Sequence, residues 1–569
     1  MFENSKTRIY KICSEISKED LENLRKKLPI KQEDSSKAEN ITDPKESEDT
    51  VIDKSLISPS VKDNSWEGLV CKISTAAGSV GNVVSSSVSS LPKLPYRILP
   101  ESVSTKTNVD KNNKSPANIN LQALSRPKLT DTEYLEKTRK LISELDKSMA
   151  SSLEDPSSCI RPLENFCFHL REYELKAGVS TKDTAVSKIL QLRKNCKEEE
   201  GISLQIREAL GLLGYHDPPF GRGPRILSID GGGTRGIVAC KMLKALEEGT
   251  GQPIHKLFDL ICGVSTGSIL ASLLGFRKMP IEDVEKVYLE FASQIFNQNM
   301  LYGAKGFVSS HSWYDTKFYE GVLKKICAQY GHEEVSMNDF YSSKEIPLIA
   351  IVATNVTQER LSPYVFRSYQ LPRKTHTSYK GSSRHPVWAA VRASTAAPGY
   401  FDDFVHDDKV FEDGGILVNN PTQIAIHEAQ KIWPEHPLQC VVSLGLGRTD
   451  KFMQDEPKAQ VTYLSLKDKF NRIVDSATDT ELVHLTLEDL ITKKGIYYRF
   501  NPYLKEFTYL DDVRETQFDM MREYSRMYIR RNQRKFSDAC YELTKSKGPH
   551  HHVIDYFHLQ RDLFKGKYF

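Results

Sequence analysis

The stretch LFDLICGVSTGSILASLLGF, from Leu257 to Phe276, decides the fold class. Its first seven residues are almost all apolar and predict a buried strand, whereas SILASLLGF predicts a helix. The pentapeptide Gly263-Val264-Ser265-Thr266-Gly267 joins them. Its two glycines let the chain turn sharply without collision, so that the Ser265 hydroxyl projects from the end of a sheet. A bare G-x-S-x-G arises often by chance, but a strand before it and a helix after it favour a nucleophilic serine.

A second glycine-rich motif precedes this one. Asp230-Gly231-Gly232-Gly233-Thr234-Arg235-Gly236 follows the apolar run RILSI and leads into the predicted helix IVACKMLKALEEGTG. Three consecutive glycines expose backbone amides at the start of a helix, which suits a nucleotide phosphate or the oxyanion of an ester intermediate. The residues leave both open. A P-loop is excluded because no Lys-Ser or Lys-Thr follows at the Walker spacing.

A third motif, Asp413-Gly414-Gly415, lies in VFEDGGILVNNPT. Alone, it is typical of an ordinary Asp-Gly turn. A serine nucleophile, however, needs a base within hydrogen-bond reach, and a carboxylate at the end of a strand can reach a nucleophile at the edge of the same sheet. Asp413 is therefore a candidate base for Ser265.

Alternating strands and helices surround these motifs. Further strands are predicted at 225–229, 346–353, 410–412 and 440–444, and their nearly continuous hydrophobicity is typical of strands covered on both faces. The pattern predicts an α/β domain.

The chain divides into four predicted regions. Residues 1–129 are rich in Ser, Lys, Asp, Asn and Pro and predict disorder, because they bury too little to offset the entropy of ordering. Residues 130–220 predict four helices in a small bundle. The α/β catalytic domain is expected at 221–450, and a mostly helical region packed on it at 451–569.

Composition excludes several functions. Among 569 residues, 78 are Lys or Arg and 75 are Asp or Glu, so the net charge of +3 gives no basic footprint for nucleic acid. Ten cysteines without a CxxC pair predict a reduced, intracellular protein. The triple histidine at 550–552 is interpreted as an exposed basic turn, and no metal or cofactor is expected. No stretch of about 20 apolar residues predicts a membrane-spanning helix.

Together the motifs resemble a known family. The order DGGGTRG, GVSTG, DGG, with RASTAAPGYF from Arg392 to Phe401 between the last two, resembles the patatin-like phospholipases, in particular their calcium-independent, gamma-type branch. This resemblance implies a three-layer α/β/α hydrolase domain that cleaves fatty acyl esters of glycerophospholipids without calcium.

The resemblance also implies roles for individual residues. Ser265 and Asp413 would form a catalytic dyad without histidine. Gly263 and Gly267 would flank the nucleophile, and Gly414 and Gly415 would shape the loop of the proton acceptor. The oxyanion hole would comprise Gly231, Gly232, Gly233 and Arg235. The RASTAAP segment would pack the site and take no part in the reaction.

Three alternatives remain from the residues. A Ser-His-Asp lipase would need His427, His436 or His484, none of which lies in a recognisable motif. ATP-dependent phosphoryl transfer through DGGGTRG would require magnesium and leave the other motifs unexplained. A non-catalytic lipid-binding module is disfavoured because Ser265 and Asp413 are both present.

The expected partner is a glycerophospholipid membrane. A basic segment around FDMMREYSRMYIRRNQRKF could contact anionic lipid, although a helix packed by its apolar stripe would show the same pattern. The resemblance implies a peripheral protein of mitochondrial, endoplasmic reticulum or peroxisomal membranes. The chain ends Lys567-Tyr568-Phe569, which is not the Ser-Lys-Leu peroxisomal signal.

Overall fold

A computed structural model describes residues 130–564, with gaps at 152–155, 173–178, 197–199, 298–311, 330, 344, 373–374, 449–479, 492, 494 and 506–507. The predicted disorder of residues 1–129 lies outside the described residues.

The described residues form one nine-stranded sheet. Its strands are β1 (Arg225–Ile229), β2 (Leu260–Val264), β3 (Leu348–Asn355), β4 (Ser362–Arg367), β5 (Lys380–Ser382), β6 (Phe404–His406), β7 (Lys409–Glu412), β8 (Cys440–Leu444) and β9 (Tyr497–Phe500). They are ordered β5-β4-β3-β2-β1-β8-β9, with β7 paired to β3 and β6 to β7. β3, β2, β1, β8 and β9 run parallel to one another, and β4 and β7 run antiparallel to β3.

The strand order reverses at β1. The chain passes from β1 to β2 on one side and returns much later to β8 on the other side. Loops at the carboxyl ends of the strands diverge at such a point and leave a crevice in which α/β proteins bind ligands. The loops that follow β1 and β2 carry the first two glycine-rich motifs, so both lie at this crevice.

Fifteen α-helices accompany the sheet in the described part of the chain. They are α1 (Asp131–Ser151), α2 (Ile160–Glu172), α3 (Val179–Asn195), α4 (Glu200–Leu212), α5 (Gly236–Thr250), α6 (Ile254–Leu257), α7 (Thr266–Ala271), α8 (Ile281–Phe296), α9 (Thr316–Cys327), α10 (Val387–Ser394), α11 (Thr422–Ile432), α12 (Thr480–Leu490), α13 (Glu515–Arg531), α14 (Gln533–Thr544) and α15 (Pro549–Phe564).

Helices cover both faces of the sheet. Alternate strand residues such as Leu227 and Ile229 pack against α5, α8, α13 and α14. Strand residues that point to the opposite face, such as Ile226, pack against α11 and α12 in a second apolar cluster. Because successive side chains of a strand point to opposite faces, strands buried throughout need a layer of helices on each side. The predicted three-layer α/β/α architecture is confirmed.

The N-terminal helices build a core of their own. Leu163, Phe166 and Ile189 are fully buried among α1 to α4, and Leu563 of α15 joins the same cluster. A 2.9 Å ion pair joins Arg171 to Glu208 within this bundle. The four helices predicted between residues 130 and 220 are therefore present, and the far C-terminal helix packs against them.

Some elements differ from the sequence prediction. The strand predicted from Leu257 begins only at Leu260, because Leu257 ends the short helix α6 and Asp259 instead accepts a hydrogen bond from Arg225 N. The helix predicted up to Phe276 becomes a π-helical turn after Ala271. Strands β4, β5, β6 and β9 were not predicted. β9 lies in the region expected to be mostly helical and depends on pairing with β8.

The basic helix at 515–531 packs on the protein. Phe518 and Met521 are buried in the core that α13 shares with α5. Arg522 pairs with Glu515 and Asp519 on the same helix. The structure thus favours the packed-stripe interpretation over a membrane-binding face. No described helix is both long enough and apolar enough to span a bilayer.

Candidate active site

Ser265 lies at the tight turn between β2 and α7. Its backbone φ of 50° and ψ of −123° are unusual for a residue with a side chain and cost on the order of 1–3 kcal/mol. The turn is possible because residues 263 and 267 are glycines, which pack so closely against neighbouring backbone that no Cβ would fit. A Cβ on Gly263 would lie 2.2 Å from Gly267 O, and one on Gly267 would lie 2.2 Å from Ile229 O. The glycines therefore hold a strained turn whose geometry presents the serine hydroxyl.

Asp413 reaches Ser265 from the end of β7. The Ser265 hydroxyl donates a 2.7 Å hydrogen bond to Asp413 Oδ2. The other carboxylate oxygen accepts a 2.7 Å hydrogen bond from Gly415 N and so caps the short 3₁₀ turn Gly414–Ile416. A Cβ on Gly414 would lie 2.3 Å from Val352 O, so this glycine lets the loop pack closely against β3. The two residues that the sequence analysis pairs are in direct contact.

The environment of Asp413 favours a base that exchanges protons near neutral pH. Burial raises the pKa of this carboxyl to about 7, although its hydrogen bonds from Ser265 and Gly415 lower it, and the nearby Glu412 raises it further. The side chain is 2% exposed. A general base is most effective when its pKa lies close to the working pH, so burial prepares Asp413 to take a proton from a hydroxyl.

Ser394 supports the backbone of the turn at Ser265. The Ser265 backbone amide donates a 2.8 Å hydrogen bond to Ser394 Oγ. Ser394 Oγ in turn donates a 2.6 Å hydrogen bond to Val352 O. Ser394 ends α10 within the RASTAAP segment, and this segment supports the strained turn from a position beside the sheet.

The glycines of DGGGTRG differ from one another. Gly231 N donates to Asn419, at 3.1 Å to the side-chain oxygen and 3.3 Å to the backbone oxygen. This amide is already occupied and is a poor candidate for an oxyanion. The amides of Gly232 and Gly233 make no hydrogen bond to another described residue, and both glycines line the same cavity as Ser265.

Arg235 holds the glycine loop in place. Its backbone N and its Nε each donate to Gly232 O at 3.2 Å. Because the C=O and N–H of a trans peptide point in opposite directions, fixing Gly232 O turns the Gly233 amide to the other side. Arg235 is absent from the described lining of the cavity. Its contacts are those of a residue that positions the loop.

Asp230 forms a buried ion pair and does not face the cavity at Ser265. Its carboxylate forms two hydrogen bonds, of 2.7 and 3.0 Å, with the guanidinium of Arg499 on β9. Arg499 also pairs with Glu481 at 3.2 Å. The carboxylate that a DGGT-type ATP site would use is therefore held by a buried arginine, which disfavours the nucleotide alternative.

An apolar cavity opens beside the Ser265 hydroxyl. Besides Ser265, Asp413 and the two free glycine amides, its described lining is mainly hydrocarbon and aromatic: Ile269, Phe291, Phe296, Tyr319, Tyr400 and Phe401. Such a lining accepts the aliphatic part of a ligand while a few polar groups orient it. The reactive groups thus face a space suited to an acyl chain.

The three candidate histidines bond elsewhere. His427 pairs with Thr377 at 3.1 Å, His436 with Asp555 at 3.1 Å, and His484 with the Tyr497 hydroxyl at 3.2 Å. No histidine occurs among the described residues that line the cavity. The described site therefore lacks the third member of a Ser-His-Asp triad.

Residues 227–426 match the family model for patatin-like phospholipases. The chain carries a patatin-like phospholipase domain. The matched segment of this domain begins in β1 and ends in α11, so it includes all three glycine-rich motifs.

The chain is also similar to parts of several known phospholipases. It is 36% identical over 490 residues to calcium-independent phospholipase A2-gamma of Mus musculus, covering 86% of this chain and 61% of that protein. The Homo sapiens protein of the same name is 38% identical over 432 residues, 76% of this chain and 53% of its own length. Phospholipase A I of Arabidopsis thaliana is 31% identical over 374 residues, 57% of this chain and 28% of its length. The chain thus spans between half and two thirds of the A2-gamma relatives.

Sequence analysis missed several residues of the site. Asn419 follows the apolar residues after DGG. The two consecutive asparagines there were the one local signal of a polar contact such as that with Gly231. Ser394 was assigned to packing without a specific contact. Arg499 had no local signal, since its strand was not predicted at all.

Proposed function

We propose that this protein is a calcium-independent phospholipase that hydrolyses fatty acyl esters of glycerophospholipids, with Ser265 as nucleophile and Asp413 as general base. The single observation that carries the proposal is the 2.7 Å hydrogen bond from Ser265 Oγ to a buried carboxylate, at the mouth of an apolar cavity. The match to the patatin-like family and the names of the A2-gamma relatives support the substrate class.

The first half of the proposed reaction acylates the serine. Asp413 takes the hydroxyl proton as Ser265 Oγ attacks the ester carbonyl carbon. The negative charge that develops on the carbonyl oxygen is stabilised by the amides of Gly232 and Gly233, whose hydrogen-bonding capacity is unused. The tetrahedral intermediate collapses, the ester bond breaks, and the proton on Asp413 passes to the departing lysophospholipid alcohol.

The second half restores the enzyme. Asp413, again unprotonated, takes a proton from a water molecule that attacks the acyl carbon bound to Ser265. The fatty acid leaves as the C–O bond to the serine breaks, and the proton returns to Ser265 Oγ. One carboxylate serves both halves, so no histidine is required.

The cavity and the substrate class define the expected lipid contact. The fatty acyl chain would lie against Phe291, Tyr400 and Phe401, where it replaces contact with water by contact with apolar side chains. We expect the protein to act at the surface of a glycerophospholipid membrane as a peripheral protein, and its organelle stays a prediction from family resemblance.

The proposal is tested by fatty-acid release from mixed phospholipid vesicles in the presence of chelator. The intact protein is compared with Ser265→Ala, Asp413→Asn and the control Asp408→Asn, which changes an exposed aspartate on the nearby hairpin turn. We expect release by the intact protein and the control, and none above background by the first two variants. Release that needs calcium, or that survives Asp413→Asn, would contradict the proposal.

A fluorophosphonate label separates the nucleophile from the base. The reagent reacts with activated serines, so it should modify the intact protein at Ser265 and fail on Ser265→Ala. Modification of Asp413→Asn should be slow, because the amide cannot take the hydroxyl proton. Labelling at a different serine would move the active site away from GVSTG.

A further inference from the structure

A second group of reactive side chains lies on the hairpin formed by β6 and β7. His385, His406 and Asp407 each offer a ligand atom, and these atoms lie within 4.8 Å of one another. His406 ends β6, Asp407 begins the turn, and His385 lies just before α10. None of them lines the cavity at Ser265, so the cluster is separate from the proposed active site.

One ring nitrogen of His385 has no hydrogen bond of normal geometry and only a longer contact with a carboxylate. The side chain is 3% exposed, its ring packs edge-on against Phe366, and its Nε2 faces the Tyr364 hydroxyl at 3.4 Å. The opposite nitrogen, Nδ1, is buried without a hydrogen-bond partner. It points towards Asp407 Oδ2, 3.3 Å away. A buried polar atom without a partner is costly, and an additional ligand would remove that cost.

We propose that His385, His406 and Asp407 bind a divalent transition-metal ion of the zinc class. Two imidazoles and one carboxylate, with a position left for water, form a ligand set that such ions favour. Two ligands at about 2.1 Å from a tetrahedral ion lie about 3.4 Å apart, which fits the separation of His385 Nδ1 and Asp407 Oδ2. Calcium does not fit, because it takes six or more oxygen ligands.

The surroundings allow the remaining ligands to adjust. Asp407 is exposed on a turn in which both Asp407 and Asp408 have positive φ, of 48° and 59°. Its carboxylate can move towards an ion without disturbing the core. Lys409 acts electrostatically on His385, and Glu334 interacts with His406. Glu334 is itself paired with Lys324 at 3.2 Å.

The site would connect two elements that lead to the catalytic pair. β7 runs from the hairpin directly into Asp413, and α10 runs from His385 to Ser394, which binds the Ser265 amide. A bound ion would join the hairpin to the start of α10 and stabilise both. We therefore expect the metal to raise thermal stability, while the hydrolytic chemistry needs none.

The test uses the full chain after removal of metals with a chelator. Cobalt(II) is titrated in, because tetrahedral cobalt with imidazole and carboxylate ligands has a visible absorption spectrum, and zinc is then added to displace it. The exposed histidines 550–552 would also bind cobalt, so every protein in the series carries alanine at these three positions. One cobalt ion per chain, displaced by one zinc ion, is the expected result.

Surface variants then assign the ligands. His406→Ala and Asp407→Asn should each weaken cobalt binding by more than the roughly 10- to 100-fold that loss of an outer-sphere partner costs. They should also abolish the rise in melting temperature caused by zinc. Asp408→Asn, a change of the same kind one residue away, should leave both unchanged. Binding that survives the first two variants, or a reference protein that gives no tetrahedral cobalt spectrum, would overturn the proposal.

Discussion

Two loops of this protein begin with an aspartate followed by glycines at the end of a strand, and their carboxylates have opposite surroundings. Asp230, after β1, meets the guanidinium of Arg499 in two hydrogen bonds. Asp413, after β7, accepts hydrogen bonds from a hydroxyl and a backbone amide, and no cation among the described residues pairs with it. Both are almost completely buried.

The difference shows how one local sequence can serve two purposes. Burial raises the pKa of Asp230 to about 6, and Arg499 opposes that rise. Burial raises the pKa of Asp413 to about 7, and only hydrogen bonds oppose it. Arg499 stabilises the charged form of Asp230 in a buried ion pair, whereas Asp413 is bonded to a hydroxyl whose proton we propose that it takes.

Replacing each aspartate by asparagine should give the largest effects on activity and stability. Asp413→Asn should lower kcat by about 1000-fold or more, because the amide cannot act as a base. Its free energy of unfolding at pH 8 should not fall, since the change removes a buried charge that has no cationic partner. Vesicle hydrolysis and urea unfolding measure the two effects.

Asp230→Asn should act in the opposite way. Removing one partner of a buried ion pair leaves Arg499 insufficiently neutralised and should reduce the free energy of unfolding by about 3–5 kcal/mol. The part of the protein that remains folded should retain turnover well above that of Asp413→Asn. If the two variants lose the same amount of stability, the contrast between the loops is wrong.

The pH dependence of the reaction sharpens the same contrast. Since the base must be unprotonated and its pKa is raised to about 7, kcat/KM should rise with pH and level off above that value. The raised pKa of Asp413 means that the folded state binds a proton more tightly than the unfolded chain does. Protonation of Asp413 therefore stabilises the fold fully below the unfolded pKa near 4, and this stabilisation is lost as pH rises through 7. Unfolding of wild type and Asp413→Asn should therefore differ progressively over that range. An acid limb near pH 4 would remove Asp413 as the base.

A smaller effect is expected from Asn419. In Asn419→Ala the Gly231 amide loses its side-chain acceptor, and the glycine loop is held less firmly beside Ser265. A displacement of the oxyanion donors should lower kcat between roughly 10- and 100-fold with little change in KM. Asn419→Asp keeps the acceptor oxygen and should recover part of the loss. An unchanged kcat in Asn419→Ala would show that the loop holds its own shape.

The smallest effects should come from the histidines. His427→Ala, His436→Ala and His484→Ala alter side chains that bond to Thr377, Asp555 and Tyr497, away from the cavity. Each should keep kcat within about twofold of wild type, because none touches the reacting atoms. Loss of activity in one of them with its fold intact would revive the Ser-His-Asp mechanism.

Local patterns in the sequence were sufficient to place the tight turn at Ser265. The strand, the two glycines and the helix around Ser265 are contiguous, and the steric need for glycine at 263 and 267 is a property of the turn itself. The alternation of apolar strands with helices likewise predicted an α/β domain, and the family resemblance implied its three-layer architecture. Asp413 was predicted as the base because the other two motifs occur in the same chain and because the chain resembles the family. Its local sequence gave no indication of contact with Ser265.

Tertiary structure alone decided which polar groups are occupied and which are free. Ser265 and Asp413 are 148 positions apart, and Asp230 and Arg499 are 269 apart. Strand order brings these residues together, and no local periodicity encodes it. The same holds for Asn419 at Gly231 and for the cluster of His385, His406 and Asp407. The sequence determined a serine at the end of a buried strand, and packing determined that the carboxylate beside it has no cationic partner among the described residues.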